Sequence, residues 1–344
     1  MKVLSVVGNR PQFVKSGPVS SALREAGIEE IGLHTGQHWD PALSDVFYEE
    51  LGLPEPRYRL DLHTADAETM RPAIAAVLAQ ERPDWALVFG DTNSTRAGAE
   101  AAGDTGIPVA HVEAGLRSGD LSMPEEHNRI AVDATAALLL CPDEGSRETL
   151  LREGVPGRIE VVGDVMRDAL DLFLPIATRT PSTYDEPYAV LTLHRAANTE
   201  PEQLRRLVSG LNATGFSFVF PIHPRTRKVL DEQGIRLAPT LRPIGPLGYL
   251  EMLALVAGAS RVVTDSGGLQ KEAYWLGVPC VTLRPSTEWI DTVRLGANVL
   301  VDPADPSQLG RALAEARFPA DAPPLYGDGH AAERVAASLA DGHG

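Results

Sequence analysis

The chain has 344 residues, enough for two domains of ordinary size. It carries 31 Lys and Arg against 47 Asp and Glu, and the formal net charge of -16 argues against nucleic acid or an anionic membrane surface as its main partner. Hydrophobic content of 43% and charged content of 23% exclude a disordered chain.

The apolar run from Lys2 to Val7 is too short for a signal-peptide core and soon meets Gly8 and Pro11. No segment reaches the roughly 20 apolar residues of a membrane span, so a soluble, cytoplasmic protein is expected. In the first half, Lys2 to Val7, Ile31 to His34, Trp85 to Phe89, Val109 to Val112, Leu138 to Cys141 and Ile159 to Val162 read as strands. Val14 to Glu25, Ala67 to Gln80, Thr95 to Ala102 and Asp143 to Arg152 read as helices between them. Apolar strands without polar alternation, each followed by a helix, predict a parallel sheet covered on both faces. The stretch from Pro175 to Pro187 holds three prolines and four Ser or Thr residues and reads as a linker. The alternation then restarts. Tyr188 to Leu193, Phe218 to Ile222, Arg261 to Thr264, Cys280 to Leu283 and Val299 to Val301 read as strands. Glu202 to Leu211, Tyr249 to Val256, Leu269 to Leu276 and Gln308 to Glu315 read as helices. The predicted organisation is α/β, with two doubly wound parallel-sheet domains facing a cleft. The first spans residues 1–174 and the second 188–330.

Doubly wound sheets place ligands beyond the carboxyl ends of their strands. There the first strand runs into Gly8-Asn9-Arg10-Pro11, followed by Lys15. A helix N-terminus with two nearby cations is suited to an anion, although a plain strand-to-helix turn has the same appearance. Two later strands each deliver a carboxylate, Asp91 in Gly-Asp-Thr-Asn-Ser-Thr and Glu113 in His-Val-Glu-Ala-Gly-Leu-Arg. Asp91 also fits a helix N-cap, whereas Glu is a poor cap. Glu125 begins a third acidic site, in a helix that continues to Arg129. Acids gathered on one face raise each other's pKa and suit proton transfer at carbon.

In the second half, His194-Arg195 ends one predicted strand and His223 the next. Thr264-Asp265-Ser266-Gly267-Gly268 then joins a strand to a helix through two glycines. Such a turn lets backbone N–H groups approach a pyrophosphate, and Ser266 adds a hydroxyl. Glu272, one turn further on, is placed to accept from a ribose diol. Nothing points to a metal: the nine histidines show no H-E-x-x-H spacing. The only cysteines, Cys141 and Cys280, lie in apolar runs and read as buried thiols.

Together the motifs GNRPQFVK, TGQHWD, GDTNST, HVEAGLR, MPEEHNR, GDVM, TLHR, PIHPRTR, TDSGGLQKEA and YGDG resemble the non-hydrolysing UDP-N-acetylglucosamine 2-epimerase family over nearly the whole chain. The resemblance implies two Rossmann-like domains of GT-B type, with a last helix at 331–344 returning to the first. It implies a cofactor-free inversion at C2 of a UDP-linked 2-acetamido sugar, by elimination of UDP and its re-addition. By motif position, Asp91, Glu113, Glu125 and His194 are the implied catalytic residues. Arg10, Lys15, Arg129, His194, Ser266, Gly267, Gly268 and Glu272 are the implied UDP-sugar contacts, and a homodimer is the implied assembly. Gln37, His38, Arg195 and His223 fit a second, activating site, although Asp40 stands where another Gln is usual. Two departures, Thr287-Glu288-Trp289 and His194-Arg195-Ala196-Ala197, look more like the branch acting on UDP-2,3-diacetamido-2,3-dideoxyglucuronate. A glycosyltransferase of the same architecture and a sugar-nucleotide binding protein are the alternatives of another class.

Overall fold

A computed structural model describes residues 1–38, 48, 50–179, 184 and 186–342. The chain forms two compact units, one of residues 1–173 with 325–344 and one of residues 174–324. Each is built on its own parallel sheet.

The sheet of the first unit has seven strands in the order β3-β2-β1-β4-β5-β6-β7. They are β1 (Lys2–Val7), β2 (Glu29–His34), β3 (Tyr58–Arg59), β4 (Trp85–Phe89), β5 (Val109–Val112), β6 (Leu138–Cys141) and β7 (Arg158–Val161). All five residues of β4 are buried, as are all four of β5 and of β6. This is why these strands show no alternation in the sequence. The helices between them are α1 (Arg10–Glu25), α2 (Ala67–Glu81), α3 (Asn93–Thr105), α4 (Pro124–Asp133), α5 (Glu144–Glu153) and α6 (Val165–Ala177). Local chemistry fixes their starts. Asn9 caps α1 through its side chain, Thr92 and Thr95 form a reciprocal capping box at α3, and Asp143 caps α5. Helix α6 runs through Pro175 to Ala177, so the irregular connection begins later than its first proline.

The second sheet has six strands in the order β10-β9-β8-β11-β12-β13. They are β8 (Ala189–Thr192), β9 (Phe218–Pro221), β10 (Leu241–Ile244), β11 (Arg261–Thr264), β12 (Cys280–Thr282) and β13 (Asn298–Leu300). Its helices are α7 (Ala196–Thr199), α8 (Pro201–Ala213), α9 (Pro224–Glu232), α10 (Tyr249–Ala257), α11 (Gly267–Trp275), α12 (Ile290–Arg294) and α13 (Leu309–Glu315). The last helix, α14 (Ala331–Asp341), packs on α1 in the first unit. Asp168 of α6 accepts the Ala332 N–H at 2.7 Å there.

Both sheets reverse direction of growth at their centre, between β1 and β4 and between β8 and β11. The loops beyond these strands are where an open α/β sheet binds ligands. Cys141 and Cys280 are buried, and burial pushes both thiols up to about 12. No helix among the described residues is long and apolar enough to cross a membrane.

Candidate active site

In the first unit, the β1–α1 turn is locked to β4 by Gln12. Its carbonyl accepts the Gly8 N–H at 2.8 Å, and its amide donates to the Phe89 carbonyl and to Thr95 Oγ1, each at 3.0 Å. Gly8 lies so close to the Thr35 and Ser94 hydroxyls that a Cβ there would collide with both. The turn therefore holds the end of β1 against the loop that follows β4.

Three acid-bearing segments meet beside it. Glu113, just past β5, has a φ of +71° and is ion-paired to Lys15 of α1, each side chain being 11% exposed. A non-glycine residue in the left-handed region costs about 1–3 kcal/mol, a strain typical of functional positions. Gly90 permits this approach: a Cβ there would lie 3.1 Å from Lys15 Nζ and 3.3 Å from Glu113 Oε2. Asp91 does not cap α3, because Thr92 takes that role; it is instead ion-paired to Arg129 of α4. Burial pushes the Asp91 carboxyl above its ordinary value. Arg129 and Lys15 oppose the shift, while Glu113 and Glu125 add to it. Asp91, Glu113, Glu125, Lys15 and Arg129 thus share one electrostatic neighbourhood.

The adjacent acids of α4 diverge. Glu125 is exposed, whereas Glu126 is buried and accepts from Ser118 N, Ser118 Oγ and Gly119 N, each at 3.0 Å, and from Arg129 at 2.9 Å. Burial raises the Glu126 pKa, but these donors outweigh it and hold the carboxyl below its ordinary value. Glu126 therefore shapes the loop before α4, leaving Glu125 as the acid turned outward. Asn128 donates to the Asp91 carbonyl at 3.0 Å and to Asn93 Oδ1 at 2.9 Å, fixing the β4–α3 turn from α4.

Arg10, Gln37 and His38 gather at the other side of the β1 turn. The Arg10 N–H donates to His38 Nδ1 at 3.4 Å, and Gln37 Oε1 accepts from Ser94 N and Oγ. Burial and the Arg10 charge both hold the His38 pKa down. Asp40 lies outside the described residues.

In the second unit, the fully buried Asp265 organises the ends of β8 and β11. It accepts His194 Nδ1 at 2.9 Å, the backbone N–H groups of His194 and Arg195 at 3.0 Å each, and Asn198 Nδ2 at 3.2 Å. Burial raises the Asp265 pKa, but the bonds and charge of His194 and these N–H groups outweigh it and hold the carboxyl low. His194 remains 41% exposed, and its ring lies 6.1 Å from that of His223. Ser266 caps α11, and Gly268 has open space where a Cβ would sit. At Gly267 such an atom would meet only Arg284 Nη1 and Trp289 Nε1, both at 3.9 Å. Glu272 is buried and hydrogen-bonded by Tyr249, whose pKa is raised well above its ordinary value by burial first and then by this carboxylate. Beneath the turn, the buried Lys271 ammonium lies 4.0 Å from the centroid of the Trp289 ring, and Glu288 pairs with Arg284 at 2.9 and 3.2 Å.

A family model for UDP-N-acetylglucosamine 2-epimerase matches residues 21–340. The chain belongs to this family. It is similar to the UDP-2,3-diacetamido-2,3-dideoxy-D-glucuronate 2-epimerase of Pseudomonas aeruginosa, at 43% identity over 99% of each chain. It is also similar to the UDP-N-acetylglucosamine 2-epimerase of Methanocaldococcus jannaschii, at 41% identity over 88% of each. A crystal structure of a UDP-GlcNAc 2-epimerase from that organism, in complex with UDP-GlcNAc and UDP, matches 99% of this chain and 100% of its own, at a TM-score of 0.92 and 37% identity. The chain is thus a sugar-nucleotide 2-epimerase, an isomerase, with the GT-B fold.

The motifs of this epimerase fall on both units: Asp91, Glu113, Glu125, Arg129, Arg10, Lys15, Gln37 and His38 on the first, and His194, Arg195, His223, Ser266, Gly267, Gly268 and Glu272 on the second. Three groups that sequence reasoning left unassigned organise these segments: Gln12 and the buried pair His111 and Asp133 on the first unit, and Asp265 on the second. A polar residue inside an otherwise apolar strand, as His111 is in β5, was the available signal.

Proposed function

We propose that this epimerase interconverts UDP-N-acetylglucosamine and UDP-N-acetylmannosamine by eliminating UDP across C1–C2 and adding it back. A carboxylate takes the C2 proton, the C1–oxygen bond breaks with its electron pair leaving on UDP, and a glycal forms. Re-addition returns a proton to the opposite face of C2. The C2 hydrogen of a 2-acetamido sugar is barely acidic, so the departing diphosphate and the cation-like ring both need electrostatic help. The observation that carries this reading is the grouping of Asp91, Glu113 and Glu125 with Lys15 and Arg129. It supplies carboxylates for acid and base roles, with one of them held at a raised pKa. The second unit, in this reading, binds UDP through His194, Ser266 and the N–H groups of Gly267 and Gly268, with Glu272 toward the ribose. Arg10 of the first unit is a further proposed diphosphate contact, and the residues proposed for activation are Gln37 and His38 on the first unit and Arg195 and His223 on the second. The protein is proposed to work as a cytoplasmic homodimer, which sedimentation velocity tests directly.

The deciding experiment follows C2 by NMR in deuterated water, with UDP-N-acetylglucosamine and no acceptor. Deuterium at C2 together with the epimer supports the proposal. Turnover only after an acceptor is added, or binding without exchange, overturns it. A second reading, the diacetamidoglucuronate as substrate, is favoured by the 43% identity along the full length of the Pseudomonas aeruginosa enzyme.

A further inference from the structure

His111 and Asp133 are both fully buried and touch no solvent. His111 Nδ1 lies 2.7 Å from Asp133 Oδ1, and Nε2 lies 2.7 Å from the Gly90 carbonyl oxygen. A carbonyl oxygen only accepts, so Nε2 carries a proton. Asp133 Oδ2 already accepts from Gly115 N at 3.1 Å and from Arg117 Nη1 at 2.8 Å. Burial raises the Asp133 pKa, but the charges and hydrogen bonds of His111 and Arg117 outweigh it and hold the carboxyl low. Oδ1 is the oxygen that faces His111 Nδ1.

The position of this pair matters more than its burial. His111 holds the carbonyl of Gly90, the residue before Asp91, and stands two residues before Glu113. Asp133 ends α4, which carries Glu125, Asn128 and Arg129. Through Gly115 it also holds the loop that follows Glu113, where a Cβ on Gly115 would run into the Ser146 carbonyl. One buried contact therefore joins the three segments that bear the acids. We propose that His111, held between Asp133 and the Gly90 carbonyl, is the positioning residue that sets Asp91 and Glu113 in register for proton transfer. This inference rests on the proposed roles of those two acids.

Nitrogen-15 NMR of histidine-labelled protein reads the contact with Gly90. The His111 Nε2 is expected to carry its proton and to exchange it slowly with solvent, as a buried bond to a carbonyl oxygen requires. A deprotonated or freely exchanging Nε2 overturns the contact on which the inference stands. Kinetics read the positioning. His111→Gln and Asp133→Asn are expected to lower kcat by about a hundredfold, as a misplacement near 1 Å does, with KM and UDP affinity within about threefold of wild type. Wild-type kcat in either folded variant overturns the inference, as does a parallel loss of kcat and UDP affinity, which marks general collapse. Should both variants fail to fold, the NMR result on wild type decides. The acids are tested apart: if Asp91→Asn and Glu113→Gln turn over normally, the reading beneath the inference fails, whereas dead acid variants beside an active His111→Gln sink the inference alone.

Discussion

Asp265 holds His194 by the ring and by the backbone at once. The carboxylate accepts Nδ1 at 2.9 Å and the His194 N–H at 3.0 Å, so Nε2 is the nitrogen left to face a ligand. This arrangement fixes the orientation of the ring and of the nitrogen it turns toward a ligand. His194→Ala and Ser266→Ala are each expected to weaken UDP binding by about 1.5–3 kcal/mol, the range of a charge-assisted hydrogen bond. Titration calorimetry with UDP measures it. Unchanged affinity in both variants moves the phosphate contacts elsewhere.

Lys15 and Glu113 form the counterpart in the first unit. Each side chain is 11% exposed, so removing one partner leaves a poorly solvated charge. Lys15→Met and Glu113→Gln are each expected to lower stability by about 3 kcal/mol, with the double variant losing clearly less than the sum. Chemical denaturation of the four proteins in the cycle gives the coupling. Glu113→Gln is also expected to lose most turnover while keeping UDP affinity, since the proposed UDP contacts lie chiefly on the other unit.

Asp91 gives a pH signature of its own. Its carboxyl is held above the ordinary value, chiefly by burial, so the folded protein binds a proton that the unfolded chain has released. Stability from this group is therefore greatest at low pH. It is lost as pH rises from the ordinary aspartate range through the raised folded value. Asp91→Asn removes that burden. The melting temperature of the variant minus that of wild type is expected to grow between about pH 4 and pH 8 while turnover falls away. A difference that is flat or shrinks with pH contradicts the direction of the shift.

The strands were legible because burial on both faces writes itself as mostly apolar residues without polar alternation: β1, β4, β5, β6 and β11 match their predicted bounds residue for residue. Strand β10 escaped notice because it is an edge strand of Leu-Arg-Pro-Ile, half exposed and carrying a proline that an interior strand would not tolerate. The acids were legible as polar residues placed directly after apolar strands. Their pairings were not, since Asp91 with Arg129 and Lys15 with Glu113 join positions 38 and 98 residues apart. Local capping chemistry even pointed the wrong way for Asp91, where Thr92 competes for the same role and takes it.

Substrate choice turns on which cations are available. A uronate carries a carboxylate at C6 that a 2-acetamido hexose lacks and needs a cation to meet it, and Arg117, Arg129 and Arg284 are the arginines to consider. All three are already engaged: Arg117 with Asp133 and Glu153, Arg129 with Asp91 and Glu126, and Arg284 with Glu288. Diverting one of them takes a charged partner from its acid, at about 3–5 kcal/mol where a buried pair is broken. Trp289 offers no substitute, because its indole already covers the Lys271 ammonium and carries no charge. The neutral sugar is therefore the expected substrate, read as kcat/KM for UDP-N-acetylglucosamine against the diacetamidoglucuronate. Trp289→Leu is expected to lower both values together and to cost about 3 kcal/mol of stability, through lost packing and lost ring contact with Lys271. A preference of about a hundredfold or more for the uronate, equivalent to about 2.7 kcal/mol, would show that one of these arginines changes partner when substrate binds.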